Sequence, residues 1–221
     1  MLSPIRAVIF DMDGVLVDSG AFHRRAWQTL LEEIGSPIRD SEFWRLTIGR
    51  PVEEALPLLV KRPLSPREIA RYARRKTDLY HEYARQGFAP VPGVQAFVRH
   101  LEAERVPRAV ASSASRRSVH VVLEGLHLNQ SFDALVTADD VRNGKPDPEV
   151  YLTAAQLIDV APDQCVVFED SEVGIRSAVS AGMTCIGVTT THTDAELQNA
   201  GAIRTIPDFN VLTWDEVNGV R

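Results

Sequence analysis

Residues 7–18 read Ala-Val-Ile-Phe-Asp-Met-Asp-Gly-Val-Leu-Val-Asp. The four apolar residues at the start of this stretch are typical of a short buried strand, and two aspartates follow it one residue apart. Gly14 then allows the backbone to turn sharply. Ligands of a parallel α/β sheet bind beyond the carboxyl ends of the strands, which is where Asp11 and Asp13 would lie. Two carboxylates this close repel each other, so the pair favours a shared cation or a bound proton.

From residue 94 onward, helical patterns alternate with apolar patterns that are typical of strands. The strand patterns occur at residues 109–111, 134–136, 166–168, 185–188 and 203–206. Such alternation implies βαβ crossovers. We therefore expect an α/β fold with a doubly wound parallel sheet, to which residues 7–10 also belong.

The region between the first strand and residue 90 shows helical patterns and no convincing strand. Its clearest helix start is Ser65-Pro66-Arg67-Glu68, which combines an N-cap residue, a proline in the first turn and an acid three residues after the cap. Pro and Gly then punctuate residues 90–93. We expect two domains: a core formed by residues 1–16 and 90–221, and an inserted helical domain at residues 17–89.

Composition and charge limit the kinds of partner that this chain can have. The net charge of −6 argues against a nucleic-acid partner, because phosphate backbones attract basic surfaces. No apolar run is long enough to cross a bilayer, and no signal-peptide pattern precedes the first strand, so we expect a cytoplasmic protein without a membrane partner. A monomer is the default expectation. Cys165 and Cys185 lie in apolar stretches, which predicts a packing role for both.

Polar residues follow the second and third predicted strands. Ser112 and Ser113 offer hydroxyls and backbone N–H groups at the start of a helix, an arrangement that suits an anion, although serines also serve as ordinary turn residues. Lys145 follows the third strand in a chain with 21 arginines and three lysines. A compact ammonium suits a phosphate oxygen in a crowded site, whereas an exposed loop lysine is the ordinary alternative.

The fourth predicted strand ends in Glu169 and Asp170. Because the carboxyl ends of parallel strands meet at one edge of a sheet, we expect these two acids to lie near Asp11 and Asp13. Such a cluster needs a hard cation, and Mg²⁺ fits because it also binds substrate phosphates.

Together these motifs resemble the haloacid dehalogenase superfamily. The resemblance rests on residues 11–19, Ser112, Lys145-Pro146 and residues 168–171 with Gly174 and Ile175, and it extends over nearly the whole chain. It implies a Rossmann-like catalytic core with an inserted helical cap domain. It also implies that the protein forms an aspartyl phosphate, a known covalent route for carboxylate nucleophiles.

The resemblance assigns a role to each matching residue. Asp11 attacks phosphorus, and Asp13 protonates the leaving group and later acts as a base. Ser112, with Ser113 beside it, and Lys145 hold the phosphoryl oxygens. The implied Mg²⁺ site consists of Asp11, a backbone carbonyl of Asp13, Asp170 and Glu169.

The helical insertion resembles the cap of the β-phosphoglucomutase-like branch of this superfamily. His23, Arg50 and Lys76 match residues of that cap, where a histidine couples closure to proton transfer and two basic residues hold a second phosphate. Arg116 stands where the mutase has an asparagine that contacts sugar. Arg116 is therefore interpreted either as a second anion-binding residue or as an exposed side chain, and its presence disfavours strict mutase activity.

The predicted function is a Mg²⁺-dependent phosphatase of small phosphorylated metabolites, with sugar phosphates as the expected substrates. The alternative enzyme is a hexose-phosphate mutase of the β-phosphoglucomutase kind, which shares every catalytic part. Two other classes are a phospho-accepting signalling module and a catalytically inactive binding protein. The helical insertion and the position of Asp11 on the first strand disfavour the signalling module. The intact set of Asp11, Asp13, Lys145 and Asp170 disfavours the inactive protein.

Overall fold

The computed structural model describes residues 4–37, 46–47, 52–84 and 87–219. Its strands are β1 (Ala7–Phe10), β2 (Arg108–Ala111), β3 (Ala134–Val136), β4 (Cys165–Glu169), β5 (Thr184–Val188) and β6 (Arg204–Ile206). Its helices of five or more residues are α1 (Gly20–Glu33), α2 (Val52–Val60), α3 (Pro66–Ala84), α4 (Val94–Ala103), α5 (Arg116–Gly125), α6 (Glu149–Leu157), α7 (Glu172–Ser180), α8 (Asp194–Ala200) and α9 (Trp214–Asn218). None of these helices is long and apolar enough to span a membrane.

The six strands form one sheet in the order β3-β2-β1-β4-β5-β6, and every neighbouring pair is parallel. The expected doubly wound parallel sheet is therefore confirmed. β1 lies between β2 and β4, with Ile9 opposite Ala109 on one side and Val167 on the other. The strand order changes direction between β1 and β4, and this switch point is where such sheets bind ligands.

Both faces of the sheet are covered by apolar side chains. On one face, Phe10 stacks on Phe168 with ring centroids 5.5 Å apart, and Phe97 and Phe209 pack against the pair. On the other face, Ile9 and Val167 belong to a core that includes residues of α6, α7 and α8. Period-two alternation along β1 and β4 puts neighbouring residues on opposite faces, which explains why β1 is apolar throughout and β4 is apolar up to Phe168. Cys165 and Cys185 are free thiols in this core, as predicted.

The chain divides into two compact units, one formed by Met1–Asp18 with Ala89–Arg221 and the other by Ser19–Phe88. In the second unit, α1, α2 and α3 enclose a separate core around Leu30, Leu56 and Leu79. The helix start predicted at Ser65 is confirmed, since Ser65 Oγ accepts from the Glu68 backbone N–H and the Glu68 carboxylate accepts from the Ser65 N–H.

Two helices near the C-terminus, α8 and α9, lie outside the predicted pattern. Each begins with a capping box, formed by Thr193 with Glu196 and by Thr213 with Glu216. This motif satisfies two free backbone groups at a helix start. The Thr-x-x-Glu spacing therefore indicates the start of each helix in the sequence itself. α8 matters for the site because it fixes the end of the loop that follows β5.

Candidate active site

Three buried carboxylates meet at the carboxyl ends of β1 and β4. Asp11 directly follows β1, Glu169 is the last residue of β4, and Asp170 comes next. One carboxylate oxygen from each lies within 4.8 Å of the others. The backbone N–H of Asp11 donates to the carbonyl of Phe168 at 3.0 Å, so the ladder between the two strands continues into the cluster.

Lys145 lies inside this cluster rather than on an exposed loop. Its side chain is 3% exposed, and its Nζ lies 2.7 Å from both Asp11 Oδ1 and Glu169 Oε1. The same ammonium donates to the carbonyl of Ala111, the last residue of β2, at 3.2 Å. The lysine therefore ties together the ends of β1, β2 and β4.

Glu169 is held by several donors at once. Its Oε1 accepts from Lys145 and from the hydroxyl of Tyr151, which lies 3.1 Å away and is fully buried. Its Oε2 accepts from the N–H and the hydroxyl of Ser171 at 2.8 and 3.0 Å. A Cβ on Gly174 would lie 1.7 Å from Oε1, so glycine is required for this carboxylate to fit.

The charge balance of the cluster shifts the acidity of its members. Burial raises the pKa of Asp11 to about 7; the Lys145 ammonium opposes this shift, and the charge of Glu169 adds to it. Burial, together with the charges of Glu169 and Asp11, raises the pKa of Asp170 well above its ordinary value. Burial also disfavours the charged form of Glu169, but Lys145 and the two hydrogen bonds from Ser171 together hold the pKa of Glu169 below the ordinary value. Three carboxyls around one ammonium thus leave an excess of negative charge.

Asp13 and Gly14 form the turn after β1. The Gly14 N–H donates to the carbonyl of Val17 at 2.8 Å, and Gly14 has a φ of +77°, which favours glycine. A Cβ at this position would lie 2.0 Å from Asp170 Oδ2, so the turn packs directly against that carboxylate. Asp13 is half-buried, and its charge contributes to the raised pKa of Asp11.

The residues after β2 lie in different environments. Ser112 is buried, and its Oγ accepts from the Ala114 N–H at 3.1 Å. Ser113 is exposed. Arg116 is also exposed and forms an ion pair with Asp140, which favours the interpretation of Arg116 as a surface side chain.

The loop after β5 supplies contacts that the sequence interpretation missed. Thr190 Oγ1 donates to the carbonyl of Gly14 at 2.7 Å, and Thr191 Oγ1 lies 2.7 Å from Asp170 Oδ2. His192 Nδ1 lies 2.9 Å from the carbonyl of Asp170. The signal was the same one that identified the other site residues, namely polar side chains directly after a buried parallel strand.

Two of the predicted cap residues contact each other within the helical unit. Lys76 is 5% exposed, and its Nζ lies 2.6 Å from His23 Nδ1. The His23 ring stacks on Tyr80 at 4.3 Å, and Lys76 also lies 5.6 Å from the ring centroid of buried Trp27. Arg50 lies outside the described residues.

The chain is similar in sequence and in fold to several known proteins. The model of the haloacid dehalogenase-like hydrolase family matches residues 8–188. The validoxylamine A 7'-phosphate phosphatase of Streptomyces hygroscopicus subsp. limoneus is 35% identical, over 96% of this chain and 98% of its own. A phosphorylated carbohydrates phosphatase of Thermotoga maritima is 34% identical, over 94% and 97%. The crystal structure of β-phosphoglucomutase from Clostridium difficile superposes with a TM-score of 0.86 at 26% identity, covering 97% of this chain and 96% of that one.

The family match spans more than four-fifths of the chain, from the second residue of β1 to the end of β5. The alignments with the two phosphatases cover nearly the full length of this chain and of each relative. The sequence similarity therefore extends over the whole chain and is not confined to the sheet. The resemblance noted from the motifs is thereby confirmed, and the chain belongs to the haloacid dehalogenase-like hydrolase family.

Proposed function

We propose that this protein is a Mg²⁺-dependent phosphatase of small phosphorylated metabolites, with sugar phosphates as its substrate class. The observation that carries the proposal is the buried group of Asp11, Glu169 and Asp170 around Lys145 at the sheet's switch point. The similarity to phosphatases named for a phosphorylated carbohydrate and for validoxylamine A 7'-phosphate supports the substrate class.

The donor set fits a hard divalent cation. Three buried carboxyls with one ammonium hold more negative charge than the site can keep ionised, as the raised pKa values of Asp11 and Asp170 indicate. Oxygen ligands of this kind suit Mg²⁺. The side chains of Asp11, Asp170 and Glu169, with the backbone carbonyl of Asp13, would hold it. When bound, Mg²⁺ would neutralise charge on the phosphoryl group.

The proposed reaction has two steps on Asp11. In the first, an Asp11 carboxylate oxygen forms a bond to phosphorus, the bond from phosphorus to the ester oxygen breaks, and Asp13 gives its proton to the leaving alkoxide. In the second, water attacks phosphorus, Asp13 takes a proton from that water, and the aspartyl oxygen leaves with regeneration of the carboxylate. Lys145 and Ser112 bind phosphoryl oxygens, because phosphoryl transfer depends mainly on positioning and charge neutralisation.

Binding of Mg²⁺ should release protons. Because burial raises the pKa of Asp11 to about 7 and raises that of Asp170 as well, each carboxyl keeps its proton to a higher pH than an ordinary aspartate does. The cation binds the deprotonated forms, so its apparent affinity should rise with pH, by about tenfold per unit for each displaced proton. Titration calorimetry between about pH 6 and about pH 8, in two buffers that differ in ionisation enthalpy, measures the Mg²⁺ affinity and the number of protons released. A pH-independent affinity without proton release would contradict the charge balance described above.

A β-phosphoglucomutase-type mutase is the second candidate, favoured by the close structural likeness to the Clostridium difficile enzyme. The two candidates differ in whether water or a sugar hydroxyl accepts the phosphoryl group. The deciding experiment measures phosphate release from a panel of sugar phosphates with Mg²⁺, with and without a sugar bisphosphate. Steady release without the bisphosphate establishes a phosphatase. Isomerised sugar phosphate that depends on the bisphosphate establishes a mutase. The absence of both products would contradict both candidate functions.

The role predicted for Lys76 can be separated from a packing role. If Lys76 binds a distal group of the substrate, Lys76→Met should lower kcat/KM for the preferred sugar phosphate by about tenfold or more and leave hydrolysis of a small aryl phosphate nearly unchanged. A lysine that only packs against His23 would give equal losses on both substrates together with a lower melting temperature. Parallel kinetics and thermal unfolding on Lys76→Met and Lys61→Met distinguish these results, since Lys61 is the exposed lysine of the same unit.

A further inference from the structure

The loop between β5 and α8 carries four threonines with four different partners. The Thr189 hydroxyl donates to the carbonyl of Ile206, and Thr190 donates to Gly14. Thr193 caps α8 through the N–H of Glu196. The contact of Thr189 with Ile206 and the cap that Thr193 forms are ordinary loop contacts. The fourth threonine, Thr191, is different because its partner is a functional carboxylate.

The hydrogen-bond directions around Thr191 follow from the chemistry of the three groups. Thr191 Oγ1 lies 2.7 Å from Asp170 Oδ2, 2.8 Å from the carbonyl of Asp170 and 2.9 Å from His192 Nδ1. That carbonyl also lies 2.9 Å from His192 Nδ1. A carbonyl oxygen only accepts, so we assign the hydrogen of this contact to Nδ1. His192 Nδ1–H then donates to the carbonyl of Asp170, and the Thr191 hydroxyl donates its single hydrogen to the Asp170 carboxylate.

The Asp170 carboxylate is confined from two sides. Thr191 holds Oδ2 by its hydroxyl, and the Gly14 backbone approaches the same oxygen so closely that a Cβ would lie 2.0 Å from it. Rotation of the carboxylate is therefore restricted before any cation binds. Groups that orient a metal ligand in this way typically change metal affinity 10- to 100-fold when they are removed.

We propose that Thr191 is a positioning residue, whose hydroxyl fixes the Asp170 carboxylate in the orientation that binds a divalent cation. This inference rests on the proposed Mg²⁺ site and goes beyond it, since it adds a determinant of affinity from the loop after β5. The hydroxyl also keeps a donor on a carboxylate that is otherwise buried among negative charges.

The test compares Thr191→Val with Thr191→Ser. Valine keeps the shape and removes the donor, whereas serine keeps the donor. The matched control is Thr189→Val. It removes a hydroxyl from the same loop, but that hydroxyl donates to the carbonyl of Ile206 and not to a carboxylate. MgCl₂ alone is titrated into each metal-free, full-length protein by calorimetry, and thermal unfolding of the metal-free proteins verifies the fold. Thr191→Ala replaces the valine variant if the latter does not fold.

We expect Thr191→Val to weaken Mg²⁺ binding about 10- to 100-fold, with Thr191→Ser and Thr189→Val close to the wild type. Unchanged binding by Thr191→Val would overturn the role of Thr191 and leave the proposed function intact. Equal weakening by Thr191→Ser would overturn it as well, because the donor is retained there. A wild-type protein that binds no Mg²⁺ would overturn the metal site itself, and with it the proposed function.

Discussion

Asp11→Asn should abolish phosphate release, lowering kcat by about 10⁴-fold or more, because the amide cannot serve as the nucleophile. The fold should survive the change. Asparagine matches the carboxylate in shape, and its oxygen can still accept from the Lys145 ammonium, which lies 2.7 Å from the native Asp11 Oδ1. The pKa of Asp11 is raised to about 7 in the folded state, so ionising this carboxyl reduces folding stability as the pH rises toward that value. A neutral side chain at this position should therefore be tolerated.

The measurement is steady-state phosphate release, combined with mass spectrometry of the acid-quenched enzyme. Wild-type protein should carry one added phosphoryl group on the peptide that contains Asp11. Asp13→Asn should slow turnover by about 10²- to 10⁴-fold, as expected for the loss of a general acid and base, but should retain the nucleophile. Asp215→Asn, an exposed aspartate of α9, is the matched control. A wild-type rate in Asp11→Asn, or a phosphorylated peptide in that variant, would remove Asp11 from the proposed mechanism.

The sheet and the central site residues could be predicted because they depend on local patterns with few solutions. An apolar run followed by polar residues marks the carboxyl end of a buried parallel strand, and all such ends share one edge. That reasoning identified Asp11, Lys145, Glu169 and Asp170, and the structure places these four side chains together. The same reasoning applied to β5 would have identified Thr191.

Other contacts could not be predicted from local patterns. The Tyr151 hydroxyl reaches Glu169 from an interior position of α6, where an aromatic residue is typical of core packing. Gly174 is required because the Glu169 side chain occupies the space of its Cβ, a contact that the apolar pattern of the sequence does not show. The ion pair of Arg116 with Asp140 likewise depends on how the start of α5 approaches the segment that follows β3.

Lys145→Met should destabilise the metal-free protein by about 3–5 kcal/mol, because it leaves the Asp11 and Glu169 carboxyls buried without their ammonium partner. The carboxyls would respond by retaining protons, so the loss should be largest at high pH and should shrink as the pH falls through their raised pKa values. Mg²⁺ should restore part of the stability, since a ligand that binds the folded state stabilises it by mass action.

Urea unfolding of wild type and Lys145→Met, at several pH values and with and without Mg²⁺, measures these effects. Lys61→Met controls for the loss of an exposed lysine, and Lys145→Arg retains the charge but changes its position. Activity gives an independent readout. Loss of a cation that neutralises the transferring phosphoryl group should lower kcat by about 10²- to 10³-fold, even where Mg²⁺ has restored the fold. If Lys145→Met were as stable as the wild type at high pH, the three carboxylates could not be ionised together around this lysine. The charge balance that supports both the metal site and the activated Asp11 would then be wrong.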